Sequence, residues 1–447
     1  HNMAQRVPNH PFKTNWIRSR PNPTKIKDKI QKYFCARPSR PTDYRYSSAV
    51  FKAKEAFRLP YKVSPFHVND VIRHYSHPDR SPGLPYTREG LRRKDEVDPL
   101  RIKWAVHAMK YGIWTKCKTP CNAVAKTAVH PTEEKLRLIW VYPAHMTFAE
   151  GMFAMPLINQ YKQQIGSPYG IWIRYQCGDM RFLRSKKPSS HTWLAADWSS
   201  FDATVPPWLI RDAFEILRSN MDFSNYQFRG SPTDDNTLPR LWKTIINYFI
   251  NTPIKDPDGK VRVKSGGVPS GSYFTNLIDS IVNYIAVAYL LSDTRYSSDA
   301  FWVMGDDVLV AIIEEEFDLE TFATEAARVF GMVLNRDKSE IGEFPSFLGF
   351  KFTIDGIPGS DYNRLMAQLL LPSRPDKTDD EFYARIRALQ LASFGGNKPF
   401  LYETQWFLES VGVPHPPKLL HKRDELMDKL EQLGMVGWPP LSTVLLI

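Results

Sequence analysis

The apolar and polar positions sort into elements most clearly from Trp193 onward. Thr192-Trp193-Leu194-Ala195-Ala196 reads as a buried strand that runs into Asp197. Pro206–Ser219 has helical spacing with proline near its start. Thr252–Lys264 reads as a hairpin around the turn Asp256-Pro257-Asp258-Gly259. Ser272–Leu291 is a long apolar helix. Phe301-Trp302-Val303 and Val308-Leu309-Val310 then flank Met304-Gly305-Asp306-Asp307, a strand-turn-strand with two acids at its tip. Another helix runs from Asp318 to a glycine stop at Gly331. Thr378-Asp379-Asp380-Glu381 is a capping box that opens a helix ending near Gly395, and His421–Leu433 forms one more, closed at Gly434. Upstream, Pro99–Tyr111 and Tyr142–Ile165 are helical in pattern. Residues 1–60 are basic and proline-rich; a short helix is expected over Thr24–Cys35, with the rest extended as an arm. The apolar Trp438–Ile447 is expected to dock on the body.

Composition narrows the class. The chain has 447 residues, 43% hydrophobic and 13% aromatic, enough for two or three packed subdomains and too apolar for a disordered chain. Four cysteines are too few for a disulfide framework at this length. Cys117 and Cys121 form a C-x3-C pair with no matching Cys/His pair nearby, so two ordinary thiols are expected rather than zinc. No apolar run reaches the roughly 18 residues of a membrane helix, and the start of the sequence has no signal-like apolar stretch. The net charge of +11 is unevenly spread: residues 1–150 carry 29 Lys and Arg against 12 Asp and Glu, whereas the remainder carries 30 against 36. A basic first third points to a polyanionic partner, nucleic acid first among them.

Three clusters carry candidate chemistry. Asp306 and Asp307 are adjacent like charges between apolar strands, an arrangement that a divalent cation relieves; two solvated turn aspartates are the alternative. Asp197 ends a strand, and Asp202, five residues on, either faces another part of a substrate or caps a helix. Ser265-Gly266-Gly267-Val268-Pro269-Ser270-Gly271-Ser272 is a glycine-rich loop that opens a helix carrying Thr275, Asp279 and Asn283 on one face. That polar face either meets a ligand or forms a core network.

In this order the clusters resemble the palm motifs of viral RNA-dependent RNA polymerases. Asp197-x4-Asp202 is similar to motif A, Ser270-Gly271-x3-Thr275 to motif B, and Gly305-Asp306-Asp307 to motif C. The wording of residues 267–283 is especially like that of partitiviruses, and the resemblance points to the partitivirus and picobirnavirus group of double-stranded RNA viruses. Glu134-Lys135-Leu136-Arg137 resembles motif F, with Lys126 as an earlier member; Asn335–Ser339, containing Lys338, resembles motif D; Phe344–Phe350 resembles motif E. The resemblance is strong from about residue 126 to 352.

The resemblance implies an α+β right hand: an arm (1–60) bridging fingers and thumb, fingers (61–186), palm with motif A (187–245), a fingers insertion hairpin (246–268), palm with motifs B to E (269–355), and a helical thumb and tail (356–447). It also implies a two-ion Mg²⁺ or Mn²⁺ site on Asp197, Asp306 and Asp307, serving nucleotidyl transfer from ribonucleoside triphosphates on template and product RNA. Lys126, Lys135 and Arg137 would hold the triphosphate, and Lys338 would protonate the leaving pyrophosphate. Asp202, Ser270, Gly271, Thr275 and Asp279 would seat the nucleotide. Asp279 stands where positive-strand virus polymerases often have Asn, and an ionised Asp cannot donate a hydrogen bond. Such a chain would work in the host cytoplasm within a capsid, in contact with capsid protein and no membrane. Two other classes compete: an RNA-binding scaffold, which would be expected to lack one of these acids or the glycine loop, and a reverse transcriptase, which would carry a bulky aromatic where Asp202 stands.

Overall fold

A computed structural model of the chain describes residues 10–131 and 136–413. Lys135, the 421–433 helix and the terminal apolar stretch lie outside the described residues.

A four-stranded antiparallel sheet forms the centre, in the spatial order Glu340–Gly342, Thr192–Ala196, Asp307–Ile312, Tyr296–Met304. Both faces of this sheet are covered. Leu194, Ala196, Phe301, Val303, Val308 and Val310 face the main core, while Trp193, Ala195, Trp302, Leu309 and Ala311 face a second cluster closed by Trp172, Met180, Leu183 and Phe352. Burial on both faces is why these strands read as continuous apolar runs rather than alternating ones.

The central helix, Thr275–Leu290, lies within the main core, and nearly every residue from Leu277 to Tyr289 is buried. It packs against Tyr44–Ala56 and the Tyr296–Met304 strand. The Tyr44–Ala56 helix corrects the expectation of an extended arm over that stretch. Asp43 accepts from Tyr46 N–H as its N-cap, and Tyr46, Ala49 and Ala53 form a buried face at helical spacing. The short helix nearer the N-terminus runs over Pro23–Gln31, capped by Asn22.

A second four-stranded sheet has the order Leu136–Val141, Cys121–Thr127, Pro253–Lys255, Val261–Val263. The Thr252–Lys264 hairpin therefore forms as expected, and its first strand runs parallel to Cys121–Thr127. Three helices, Tyr362–Leu370, Asp379–Ala392 and Lys398–Ser410, enclose a separate apolar cluster at the C-terminal end of the described chain. Phe12 enters this cluster from the other end of the sequence and meets Phe407 edge-on. A few residues on, Ile17–Arg18 pairs with Val129–His130, and Arg18 donates to Leu371 O and Thr127 Oγ1. Residues 12–18 thus tie the C-terminal helices to the neighbourhood of the second sheet.

Phe12→Ala is expected to cost about 3 kcal/mol of stability and to open the 10–20 segment to limited proteolysis. Unchanged cleavage kinetics would show that Arg18 and the short strand suffice for the tie.

Candidate active site

The Met304–Asp307 hairpin turns on two residues, Gly305 and Asp306. Gly305 takes φ +64°, as the first position of a type II′ turn requires, a conformation that costs glycine little. The turn is anchored from the central helix. Gly305 N–H donates to Ser280 Oγ (2.7 Å), and Asn283 Nδ2 donates to the carbonyls of Gly305 (3.1 Å), Asp306 (2.9 Å) and Asp307 (3.3 Å).

The register brings a second acid alongside. Val308 pairs with Ala196, so Asp307 and Asp197 are the next residues along on adjacent antiparallel strands. The backbone of Asp197 is held by the 335–339 loop: Asn335 N–H donates to its carbonyl (2.7 Å), and its own N–H donates to Ser339 Oγ (3.1 Å). That loop carries Lys338, with its side chain exposed. Asp202 lies in the one-turn helix Phe201–Thr204, and Asp279 points toward it from the central helix.

These acids feel one another. Burial, then the charges of Asp306 and Asp197, push the Asp307 carboxyl up to about 7, although its edge remains open to solvent. Burial, then Asp306, raise Asp202 to about 7. Asp279 is 4% exposed, and burial followed by the charges of Asp202 and Asp306 hold it far above the usual carboxylate range. Its carboxyl faces that of Asp202, and its Oδ1 has no hydrogen-bond partner. That upward shift favours the protonated carboxyl, the form that can donate as well as accept.

Arg137 supplies the opposing charge, which draws both Asp202 and Asp307 downward. It stands on the outward side of the Leu136–Val141 strand, where Leu136, Leu138 and Trp140 point inward. Lys126 is its cross-strand partner and is also exposed, so the two cations share one sheet face.

The glycine-rich loop is locked to the same strand. Ser270 Oγ donates to Leu138 O (2.9 Å) and accepts from Trp140 N–H (3.4 Å). A Cβ on Gly271 would lie 1.7 Å from Trp140 O, so only glycine allows this approach. Thr275 Oγ1 donates to Pro269 O (2.8 Å) and Ser272 O (2.9 Å). The hydroxyls expected to meet a nucleotide thus shape the loop in this conformation.

Glu150 is a further member that sequence reasoning passed over. It is fully buried on the Ala144–Gln163 helix, and its Oε2 accepts from Ser272 Oγ and Tyr273 N–H, both at 2.8 Å. Burial raises it to about 8. The signal was available: it is the one acid in that twenty-residue, largely apolar helix.

Residues 7–392 match the family model described as viral RNA-dependent RNA polymerase. The chain belongs to this family. Relatives include the RNA-directed RNA polymerase of Cryptosporidium parvum virus 1, 30% identical over 60% of this chain and 54% of that protein. The RNA-directed RNA polymerase of white clover cryptic virus 1 is 24% identical over 64% of this chain and 50% of its own length. This polymerase-family chain spans about half the length of those relatives. Its fold is similar to the crystal structure of the RNA-dependent RNA polymerase of a human picobirnavirus, with a TM-score of 0.69 at 14% identity, covering 92% of this chain and 78% of that one. The viral polymerase fold expected from the motifs, α+β with an antiparallel central sheet, is the fold observed.

The donor set suits a hard divalent cation: Asp197, Asp306 and Asp307 offer only carboxylate oxygens, and their repulsion is the strain that such an ion relieves. Among the described residues, no three acid, histidine or cysteine side chains already close a metal cage.

The raised carboxyls have a measurable sign. Between the ordinary aspartate value of 3.8 and about 7, the folded chain binds more protons than the unfolded one. Stability contributed by these groups therefore falls as pH rises through that window. In chelator, Asp307→Asn should be more heat-stable than the parent at pH 8 but not at pH 4, and Mg²⁺ should raise the parent's Tm more at pH 8 than at pH 5. Parallel pH profiles for parent and variant would contradict the assignment.

Proposed function

We propose that this chain is the catalytic core of the RNA-dependent RNA polymerase of a double-stranded RNA virus. It would extend an RNA 3′-hydroxyl with ribonucleoside triphosphates on an RNA template and release pyrophosphate. The observation that carries this reading is the Asp306–Asp307 turn set beside Asp197 under the positive charge of Arg137.

Asp197 and Asp306 are the residues that would hold Mg²⁺ or Mn²⁺, with Asp307 as auxiliary. Bound there, such ions would supply neutralisation of the negative charge that nucleotidyl transfer develops. Arg137, with Lys126 beside it and Lys135, binds and orients the triphosphate. Lys338, on the loop that holds the Asp197 backbone, gives a proton to the departing pyrophosphate. Asp202 accepts from the ribose 2′-hydroxyl, and Asp279 fixes the orientation of Asp202 while offering its unpaired Oδ1 to the sugar. Ser270, Gly271 and Thr275 hold the loop on which the nucleotide sits.

In this reading the central sheet and helix are the palm, the second sheet belongs to the fingers, and the three C-terminal helices are the thumb, with the 12–18 segment as the bridging arm. Template contacts would be mainly to the phosphate backbone, because the enzyme must accept every sequence. The polymerase would act in the host cytoplasm inside a capsid, beside capsid protein. No helix among the described residues is long and apolar enough to cross a membrane.

A template-extension assay tests the reading: the parent should incorporate NTPs in the presence of Mg²⁺ or Mn²⁺, and Asp306→Asn should fall to background. Full activity in that variant would overturn it, and preference for dNTPs would favour a reverse transcriptase. Asp279→Asn keeps a donor toward Asp202 and should retain NTP incorporation, whereas Asp279→Leu should narrow the NTP-to-dNTP ratio. An unchanged ratio in the Leu variant would remove Asp279 from sugar selection.

A further inference from the structure

Asn283 is fully buried, two turns along the central helix from Thr275. One side of its amide donates to three successive carbonyls, those of Gly305, Asp306 and Asp307. The other side, Oδ1, accepts from Trp198 Nε1 at 3.0 Å. Trp198 directly follows Asp197, and its ring stacks on Phe322 from the Leu319–Phe330 helix. A single side chain therefore joins the two backbone segments that carry Asp197 and Asp306.

A core asparagine that only satisfies its own hydrogen-bonding groups needs any set of partners. Here every partner belongs to a residue bearing, or next to, one of the carboxylates. The contacts to successive carbonyls set the tilt of the peptides from which Asp306 and Asp307 project. Ser280, one turn earlier on the same helix, adds a fourth contact to this turn through Gly305 N–H, and its own hydroxyl donates to Asn276 O (2.6 Å). Asn276 in turn accepts from Tyr169 OH (2.7 Å). The turn is thus referenced to a rigid helix and not to solvent.

We infer that Asn283 is a positioning residue that fixes the separation of Asp197 and Asp306, and through it the affinity of the site for divalent ions. This rests on the reading of the site as metal-dependent. Anionic ligands bind an ion tightly when their spacing is set beforehand by the hydrogen bonds behind them, and loss of such support commonly weakens metal binding by about 10- to 100-fold.

The test is equilibrium Mn²⁺ binding, followed by electron paramagnetic resonance on the full chain without RNA or nucleotide. Thermal unfolding in chelator runs in parallel. Asn283→Leu keeps the side-chain volume and removes both sets of contacts; it should weaken Mn²⁺ binding by about tenfold or more. Trp198→Phe removes the indole donor together with part of a buried ring; it should give a smaller loss of Mn²⁺ affinity, with any fall in Tm read separately in chelator. If the Leu variant does not fold, the Trp198→Phe affinity decides: parent-like Mn²⁺ binding there overturns the inference. So does parent-like binding in a folded Leu variant, whatever its Tm. Asp306→Asn separates the two levels of argument. Parent binding that this control abolishes upholds the metal reading, whereas no binding by the parent, or binding indifferent to the control, overturns that reading and the inference together.

Discussion

Like-charge repulsion among closely placed carboxyls is the constraint on which this structure turns. Asp197, Asp202, Asp279, Asp306 and Asp307 lie close enough that the charge on one raises its neighbours. Left to itself, a flexible chain would relieve that repulsion by moving apart. The fold prevents it with rigid backing: a sheet buried on both faces beneath the acids, a buried helix behind the turn, and a loop bonded to the Asp197 backbone. The charge of Arg137 removes part of the remaining cost. What is left is a standing preference for a compact positive ligand.

The strands and helices that surround this site could be read from the chain because they are long, apolar and punctuated. Thr192–Ala196 and Asp318–Gly331 form as their patterns require, the latter with Asp318 as N-cap and Gly331 at φ +70°. The Tyr44–Ala56 helix escaped notice because its apolar face is built from Tyr46, Ala49 and Ala53, two of them too small to stand out beside the basic and proline-rich residues around them. Within the site, the acids announced themselves through spacing. Their titration did not, because the upward shift of Asp279 comes from burial and from neighbours distant in sequence. The same holds for Glu150; Asn283 was marked by the polar face it shares with Thr275 and Asp279, but its partners, more than twenty residues away, were not.

Charge counting was informative about the first third of the chain but did not distinguish the uses of each cation. Arg37 donates to the carbonyls of Tyr33, Ala203, Val205 and Ser265, so it holds the approach to the glycine loop and is not free to meet a polyanion. Lys94 donates to Ser81 O and is largely buried. Lys264, outside that basic third, does the same work for Phe249, Ile250 and Gly267. Buried cations on backbone carbonyls replace the regular secondary structure that irregular loops lack. A basic excess thus measures the sum of an interior role and an exterior one.

The bond of Ser270 to the Leu136–Val141 strand, with Gly271 pressed on Trp140, makes one body of two pieces that sequence reading treated separately. The strand carries Arg137, and the loop opens the helix that carries Asp279. A shift of the loop must carry the strand with it or break its contacts. The positions of Arg137 and Asp279 are therefore mechanically one variable in this chain, and a change that moves either is felt by both.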